Sequence, residues 1–464
     1  MKTHIGIWMI ASLLFFTSCN EWLDVRQEGE FEAEDLYANG EGYRAVINKL
    51  YKMMAESSLY GENLTYGVVD CMSQQYALTE ESNANSVYRS FADFKYTDNG
   101  VPDQIDAMWL NGYRMIANAN DLLQRIRNAE DDMFEFGAVE RHLIEGEARA
   151  CRALVHFDFL RLFAPRVEDA GEDVFVPYVE DYPNTYASSI AVRPFLEKVI
   201  NDLTEAKRLV AEFDTSADGR LVNATAAART AAAPTNNFGY DNFFAGREYR
   251  LSYYSITALL ARVYQWAGMQ EEAFACAREV IGFAENGEPF YKDDFTGVKT
   301  TTGFDAAAFD QKSDFKTQSN IIFACYDRDA YEDSRLQYQF KHESLNRSNE
   351  FFVLDVETLF RSRGISEMSS DVRYQNMVFL GMGQYPISGK YYLPSTSPES
   401  ATHLMMFPVI RLTEMRYIVA EYYARNGQFT EAYQELNDIR ATRGLGELSN
   451  GSSFDEFVSD LVED

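Results

Sequence analysis

The chain of 464 residues carries 42 Lys and Arg against 72 Asp and Glu, which gives a formal net charge of −30 at pH 7. Hydrophobic residues make up 46% and charged residues 25%, as in ordinary globular proteins, and this composition excludes a disordered or fibrous chain. A surface this acidic repels phosphate backbones and anionic lipid headgroups, so it argues against nucleic-acid binding and against electrostatic adhesion to membranes.

The first residues have the pattern of a signal peptide. Lys2 and His4 precede a mostly apolar run at 5–16, which is shorter than the ~20 residues that span a bilayer. Ser18 then stands directly before Cys19, and this arrangement resembles the lipobox of bacterial lipoproteins. That resemblance implies a lipoprotein signal peptide at 1–18 and lipid attachment, including palmitate, at Cys19. A simple secretory signal with a coincidental cysteine is the alternative.

The four remaining cysteines, Cys71, Cys151, Cys276 and Cys325, match no zinc or redox spacing. Since Cys151 and Cys276 lie in Ala-rich stretches with helical periodicity, we expect buried free thiols. A disulfide stays open, because an exported protein could form one.

Helical periodicity dominates the chain. Apolar residues recur at steps of three and four in six stretches: 43–54, 105–126, 143–163, 195–210, 251–283 and 409–439. Long polar stretches lie between them, at 79–103, 214–242, 286–319 and 361–402, and strand-like pieces are confined to 321–326, 351–355 and 390–393. The pattern predicts a mainly α protein with long loops and a few short strands.

One internal similarity stands out. Ala261, Tyr264, Gly268 and Ala273 recur with the same spacing as Ala420, Tyr423, Gly427 and Ala432. Small residues let two helices approach and glycine permits a tight turn, as in a tetratricopeptide helix pair. Because the copies are much farther apart than the ~34-residue period of a tandem array, we expect dispersed helix pairs within a larger α domain.

No arrangement of residues points to catalysis, a metal or a cofactor. The histidines form no HExxH pattern and no cluster with cysteine, and no phosphate-binding loop or Gly-x-Ser-x-Gly motif occurs. His156 lies among apolar residues, which favours a satisfied core histidine. A pair of glycosidase carboxylates is defined by its separation in space, which sequence spacing does not show.

Charged residues within the helical stretches have a structural interpretation. Glu147, Arg149 and Arg152 lie within about a turn of one another, as do Arg411 and Glu414. We therefore expect ion pairs along or between helices rather than catalytic groups.

A polar stretch rich in aromatic residues is the best candidate for ligand binding. Residues 83–103 contain Tyr88 and Tyr96 among Asn and Asp, and Trp109 follows soon after. Aromatic faces stack on the apolar faces of sugars, so we predict Tyr88, Tyr96 and Trp109 as ligand-binding residues. Stretches 291–315 and 385–392 are further candidates. Packing within the core is the alternative for each of these rings.

Five motifs in order along the chain resemble the SusD/RagB family of Bacteroidetes outer-membrane lipoproteins. They are NEWLDV at 20–25, WLNGYRMIANAN at 109–120, EARACRA through LFAP at 147–165, NDLTEA at 201–206, and RLTE through LNDIRATRG at 411–444. The family usually continues beyond the amphipathic stretch at 453–464, so the resemblance also implies a C-terminus that is cut short.

The resemblance implies a SusD-like α fold, with one large domain at 19–464 after the signal peptide. It also implies a non-enzymatic lipoprotein without a cofactor, anchored in the outer membrane and facing the cell exterior. Such a protein binds oligosaccharide nutrients and delivers them to a SusC-like TonB-dependent transporter during polysaccharide utilisation. A peptide-binding, RagB-like uptake protein is the alternative, and a surface polysaccharide hydrolase is a third possibility.

Overall fold

The computed structural model describes residues 33–78, 86–184, 186–234, 238–293, 316–330, 336, 340, 353–360, 363–380, 386–391 and 405–464. The predicted signal peptide and the lipid-attachment residue Cys19 lie outside the described residues, as does most of the candidate stretch 291–315.

Helices predominate, as the periodicity predicts. The long ones are α2 (Gly40–Met54), α5 (Val101–Ile126), α6 (Gly137–Phe163), α7 (Val192–Asp214), α10 (Tyr253–Trp266), α11 (Gln270–Gly282), α15 (Leu412–Arg425), α16 (Phe429–Thr442) and α17 (Phe454–Glu463). The short ones are α1 (Ala33–Leu36), α3 (Val68–Met72), α4 (Ser86–Ala92), α8 (Ala217–Asn223), α9 (Ala226–Thr230), α12 (Val356–Phe360), α13 (Ile365–Ser370) and α14 (Val372–Met377).

The strands are short and pair in antiparallel twos. The pairs are β1 (Val174–Pro177) with β2 (Ser189–Ala191), β3 (Ala284–Glu285) with β4 (Glu288–Pro289), β5 (Ile321–Tyr326) with β8 (Met406–Arg411), and β6 (Val378–Leu380) with β7 (Pro386–Ser388). The strand predicted at 321–326 is confirmed as β5.

The strand predicted at 390–393 is wrong within its described part. Residues Gly389–Tyr391 form a 3-10 turn directly after β7. The Ser388 hydroxyl accepts a hydrogen bond from the backbone amide of Lys390 at 3.2 Å. A side-chain oxygen that satisfies the backbone in this way favours a turn over a strand ladder.

The polar stretch 214–242 contains two short helices that the hydrophobic pattern did not reveal. Ser216 caps α8 by accepting from the Gly219 amide, and Thr225 caps α9 by accepting from the Ala228 amide. Capping hydroxyls start a helix without requiring apolar periodicity, so these elements depend on local hydrogen bonds.

The long helices form a continuous stack in which each helix packs against the next. The order of contacts is α2, α5, α6, α7, α10, α11, α15 and α16, and α17 packs across the last pair. Helix α6 lies at the centre and is buried on nearly all sides from Leu143 to Leu160. In the described part of the chain, no helix is both long and apolar enough to cross a membrane.

The two similar sequences form helix pairs as predicted, α10 with α11 and α15 with α16. Their four repeated alanines are fully buried. Gly268 and Gly427 occupy the turns with φ of +76° and +72°, a left-handed conformation that glycine adopts without strain. The copies are distant in sequence, yet they are neighbours in space because α11 packs on α15.

The charged residues of the central helix form buried ion pairs, which confirms the structural interpretation. Glu147 accepts from Arg247 at 2.6 Å and from Arg250 at 3.0 Å, and Arg152 donates twice to Asp202. Arg149 pairs with Glu145 and Asp202, and Glu414 pairs with Arg262. Arg411, the other member of the predicted set, donates to the Lys316 carbonyl and the Thr317 hydroxyl.

His156 is a buried core histidine, as predicted. Its Nε2 accepts a hydrogen bond from the Val179 amide at 3.0 Å, and its ring stacks on Tyr178 at 4.0 Å. Burial lowers its pKa well below the usual value, so the imidazole is neutral. The four described cysteines are free thiols, and Cys276 alone among them is partly exposed.

Candidate functional site

A short turn after α4 presents two exposed aromatic rings. Phe94 is 55% exposed and Tyr96 is 43% exposed, and their ring centroids lie 6.5 Å apart in a T-shaped arrangement. The buried ring of Phe91 packs edge-on against that of Tyr96, with ring centroids 6.3 Å apart. We call residues 93–96 the aromatic turn.

The backbone of the aromatic turn is held in an unfavourable conformation. Phe94 has a φ of +56°, and amide hydrogen bonds from Phe94 to Phe91 and from Lys95 to Ser90 stabilise it. Left-handed backbone costs a bulky residue about 1–3 kcal/mol, and such strain concentrates at functional sites. The turn therefore displays its rings at a cost in stability.

A cavity of about 590 Å³ is lined by a residue that contacts the chain just before the aromatic turn, and we call it the larger cavity. Gln74 lines it, and the side-chain amide of Gln74 donates to the carbonyl of Ala92 at 2.8 Å, two residues before Phe94. Gln74 also has a positive φ, of +61°. This hydrogen bond links the wall of the larger cavity to the aromatic turn.

Three chain segments distant in sequence meet at the larger cavity. Tyr76 forms a β-bridge with Leu354, and Val353 forms one with Ile387. The side chains around the space are mostly apolar or uncharged, with a few charged groups: Ser73, Gln74, Gln75, Leu354, Thr358, Leu359, Phe360, Arg373, Met377, Val378, Ser388, Lys390, Val462, Glu463 and Asp464.

A second cavity of about 420 Å³ adjoins the first, and we call it the smaller cavity. The two share Arg373, Met377 and Lys390 as lining residues. Thr317, another residue with a positive φ (+51°), also lines the smaller cavity. Of the four non-glycine residues with positive φ in the described part of the chain, three therefore lie at the aromatic turn or the two cavities.

A separate cavity of about 370 Å³ lies between α2 and the end of β5. Tyr326 is 37% exposed there and its ring lies 4.9 Å from that of Tyr249, tilted by 47°. Arg250 lines the same space but already binds Glu147 and Asn48.

Comparisons with known proteins agree with this architecture. Residues 21–233 match the SusD-like_3 family, which is described as starch-binding and associating with the outer membrane. Together with solved structures of the same fold, this match supports a SusD/RagB family protein. No curated protein sequence matches this SusD-like protein.

Solved structures with the same fold cover most of the chain. A SusD-like carbohydrate-binding protein from Bacteroides vulgatus has a TM-score of 0.63 at 17% identity, over 92% of this chain and 79% of that one. A SusD superfamily protein from Bacteroides thetaiotaomicron has a TM-score of 0.62 at 19% identity, over 91% and 84%. A laminarin-binding SusD-like protein has a TM-score of 0.55 at 15% identity, over 92% and 88%. At these identities the likeness establishes the fold.

The three residues predicted to bind ligand occupy different environments in this SusD-like protein. Tyr96 is exposed on the aromatic turn. Tyr88 is buried in α4 and its hydroxyl donates to Glu62. Trp109 is half-buried on α5 and its ring is parallel to that of Phe159, with centroids 5.6 Å apart. Their role in binding stays a prediction, which the geometry favours for Tyr96.

Sequence reasoning missed the two cavities. Ser388 and Lys390 lie within the candidate stretch 385–392, but Tyr391 of the same stretch is buried. Tyr291, at the start of the candidate stretch 291–315, is buried as well. The clearest indicator of the site is backbone conformation, which no residue type in the sequence reveals. Among the described residues, no group of His, Cys, Asp and Glu could hold a metal ion.

Proposed function

We propose that this SusD-like protein is a non-enzymatic capture protein for oligosaccharide nutrients at the cell surface. The observation that carries the proposal is the strained aromatic turn with its exposed Phe94 and Tyr96 rings, which the hydrogen bond from Gln74 to Ala92 connects to the wall of the larger cavity. Aromatic rings provide large, rigid apolar faces, and neighbouring polar groups orient a ligand. The family description as starch-binding supports the same function.

The helix stack supplies the rigid part of this mechanism. The aromatic turn directly precedes α5, which packs against the central helix α6. A ligand site on a rigid scaffold loses little conformational freedom on binding, so even a few sugar rings can be held. No charge has to move and no bond has to break for this task.

Delivery to a partner completes the proposed function. By family resemblance, the protein is anchored through Cys19 in the outer membrane, faces outward, and passes its ligand to a SusC-like TonB-dependent transporter. Holding the capture protein at the transporter raises the effective concentration of ligand at the entrance, so modest affinity suffices.

Calorimetric titration of the protein without its signal peptide tests the proposal. The probes are starch and laminarin oligosaccharides, a wider panel of neutral and acidic glycans, and a peptide digest. We expect saturable binding of a glycan without product formation. Replacing both Phe94 and Tyr96 by alanine should weaken that binding by about tenfold or more, because two stacking contacts are lost.

The control is Tyr186→Ala, which removes a ring that is 83% exposed on a different loop. It should leave the affinity unchanged. Equal affinity of the double variant and the wild type, with circular dichroism unchanged, would contradict the aromatic turn as the site. Loss of binding in Tyr326→Ala instead would place the ligand in the cavity beside Tyr249. Binding of peptides alone would favour a peptide-uptake protein. Release of reducing ends from a glycan would favour a polysaccharide hydrolase.

A further inference from the structure

Lys390 lies in the wall that separates the larger and smaller cavities. It lines both, and its side-chain nitrogen has no hydrogen bond or ion pair within the described part of the chain. The ring of Tyr391 lies 5.2 Å from that nitrogen. The Asp70 carboxyl acts on this ammonium group through space but forms no ion pair with it. A cation in a partly buried position is costly without a paired anion, so this group is open to a further anionic partner.

Guanidinium groups add to the positive charge of the smaller cavity. Arg373, Arg411 and Arg443 line it together with Lys390, against a single lining carboxylate, Glu414. Glu414 is itself engaged by Arg262, with two contacts of 2.6 Å. Four cationic side chains at one cavity are unexpected in a protein of net charge −30, where acidic groups outnumber basic ones nearly twofold.

Some of this positive charge is balanced by nearby acids. Arg373 pairs with Asp371 at 2.6 Å, and Arg443 pairs with Asp464. Arg411 donates to the Lys316 carbonyl at 2.9 Å and to the Thr317 hydroxyl at 3.1 Å, both of which are neutral acceptors. Lys390 therefore lies among several cations. Of the described cations that line the smaller cavity, Lys390 alone has neither a hydrogen bond nor an ion pair from its charged group.

We propose that Lys390 binds the carboxylate or sulfate group of an acidic sugar in the captured oligosaccharide. The inference rests on the proposed function and narrows it to glycans that contain acidic residues. Apolar lining groups such as Met377, Pro408 and Tyr417 offer contact for the sugar ring while the ammonium group pairs with its anion. Charge-assisted hydrogen bonds of this kind are stronger than those to neutral hydroxyls.

The test compares matched probes that differ in charge. Wild-type protein and Lys390→Met are titrated with tri-galacturonate, a sulfated galacto-oligosaccharide and the neutral galacto-oligosaccharide. Methionine keeps the length of the side chain and removes its charge. We expect the substitution to weaken binding of at least one acidic probe by tenfold or more, and to change binding of the neutral probe less than twofold. The two acidic probes distinguish a carboxylate from a sulfate.

Lys49→Met is the matched control, because Lys49 is exposed on α2 and hydrogen-bonds to Asn118 at 3.1 Å, away from the residues that line either cavity. It should leave every affinity unchanged.

The pH dependence of binding gives an independent readout. Burial lowers the pKa of Lys390 to about 8; the positive charge of Arg411 acts in the same direction, and Asp70 opposes both. Lys316, Arg373 and Tyr391 are the other charged or titratable groups nearby. The ammonium group is then mostly charged at pH 7 and mostly neutral at pH 9, so wild-type affinity for the acidic probe should fall about tenfold over that range. Lys390→Met should not show this fall, which separates Lys390 from its neighbours.

Other outcomes overturn the inference in distinguishable ways. Equal binding of neutral and acidic probes, unaffected by Lys390→Met, would overturn the acidic subsite and leave glycan capture intact. Binding of tri-glutamate that depends on Lys390, without binding of any glycan of the wider panel, would overturn both the acidic-sugar subsite and glycan capture in favour of a peptide. If none of the three sugar probes binds, the acidic-sugar subsite is overturned. Titration with the wider glycan panel decides separately whether the protein captures glycans.

Discussion

Glu147 shows what a single buried charge contributes to this protein. Its carboxylate is fully buried between Arg247 and Arg250, and the two guanidinium groups lower its pKa against the opposing effect of burial. We expect Glu147→Gln to reduce the free energy of unfolding by about 3–5 kcal/mol, because it leaves buried positive charge uncompensated.

Urea denaturation measures this effect against Glu205→Gln. Glu205 pairs with Arg208 at 2.7 Å, but the side chains are 39% and 64% exposed, so loss of the pair should cost less than about 1 kcal/mol. Similar losses in the two variants would contradict the buried ion pair as the cause.

Residue types alone predicted the roles of some side chains and missed others. An apolar neighbourhood sufficed to predict His156 as a core residue, because burial and a hydrogen bond are the usual fate of a histidine there. Nothing in the sequence around Lys390 predicts a cation without an ion pair among several arginines, since this arrangement depends on α14 and β8 meeting the turn after β7. The same holds for Phe94, whose exposure follows from its left-handed backbone.

Helix pairs in this fold depend on their turns. Gly427 has a φ of +72° between α15 and α16, and an added Cβ atom would contact nothing within 4 Å. Gly427→Ala should therefore cost about 1 kcal/mol through backbone conformation alone.

Thermal or urea unfolding of Gly282→Ala provides the comparison. Gly282 ends α11 without a positive φ, and its Cβ position is also open. Alanine there should be neutral or stabilise the protein by up to about 1 kcal/mol, because it restricts the unfolded chain. A loss of stability equal to that of Gly427→Ala would argue against the turn conformation as the cause.

The periodicity of apolar residues predicted the long helices well and the short helices and strands poorly. A helix such as α5 repeats its apolar face over several turns, so the pattern averages out local exceptions. Helices α8 and α9 have too few turns for such averaging and begin at capping hydroxyls. The strand wrongly predicted at 390–393 also depended on a short pattern. Its described part forms a turn in which the Ser388 hydroxyl accepts from the Lys390 amide.

Most buried apolar side chains of the described residues belong to one extended core, which runs from Tyr37 to Val419. A small cluster around α15, α16 and α17 joins it through Tyr423, which packs against both. A third cluster, of Ile321, Ala324 and Met406, lies on β5 and β8, whose other buried apolar residues belong to the extended core. Because the two largest clusters are connected, we expect one cooperative unfolding transition, while the single domain at 19–464 stays a prediction.

Tryptophan fluorescence and far-ultraviolet circular dichroism test this expectation during urea denaturation. Trp109 on α5 and Trp266 on α10 report the middle of the stack, whereas circular dichroism reports every helix. The two curves should coincide. Separate midpoints would show that the C-terminal helix pair, or another part of the stack, unfolds independently.

The sequence by itself determined the helical class, the long helices, the resemblance to SusD-like proteins and the structural ion pairs of α6. These features depend on local periodicity and on charged residue types that need a partner when they are buried. The tertiary structure alone decided that two distant helix pairs are neighbours, and that Gln74, Leu354 and Lys390 line one cavity. Contacts between remote segments depend on how the whole stack closes, and no short stretch of sequence contains that information.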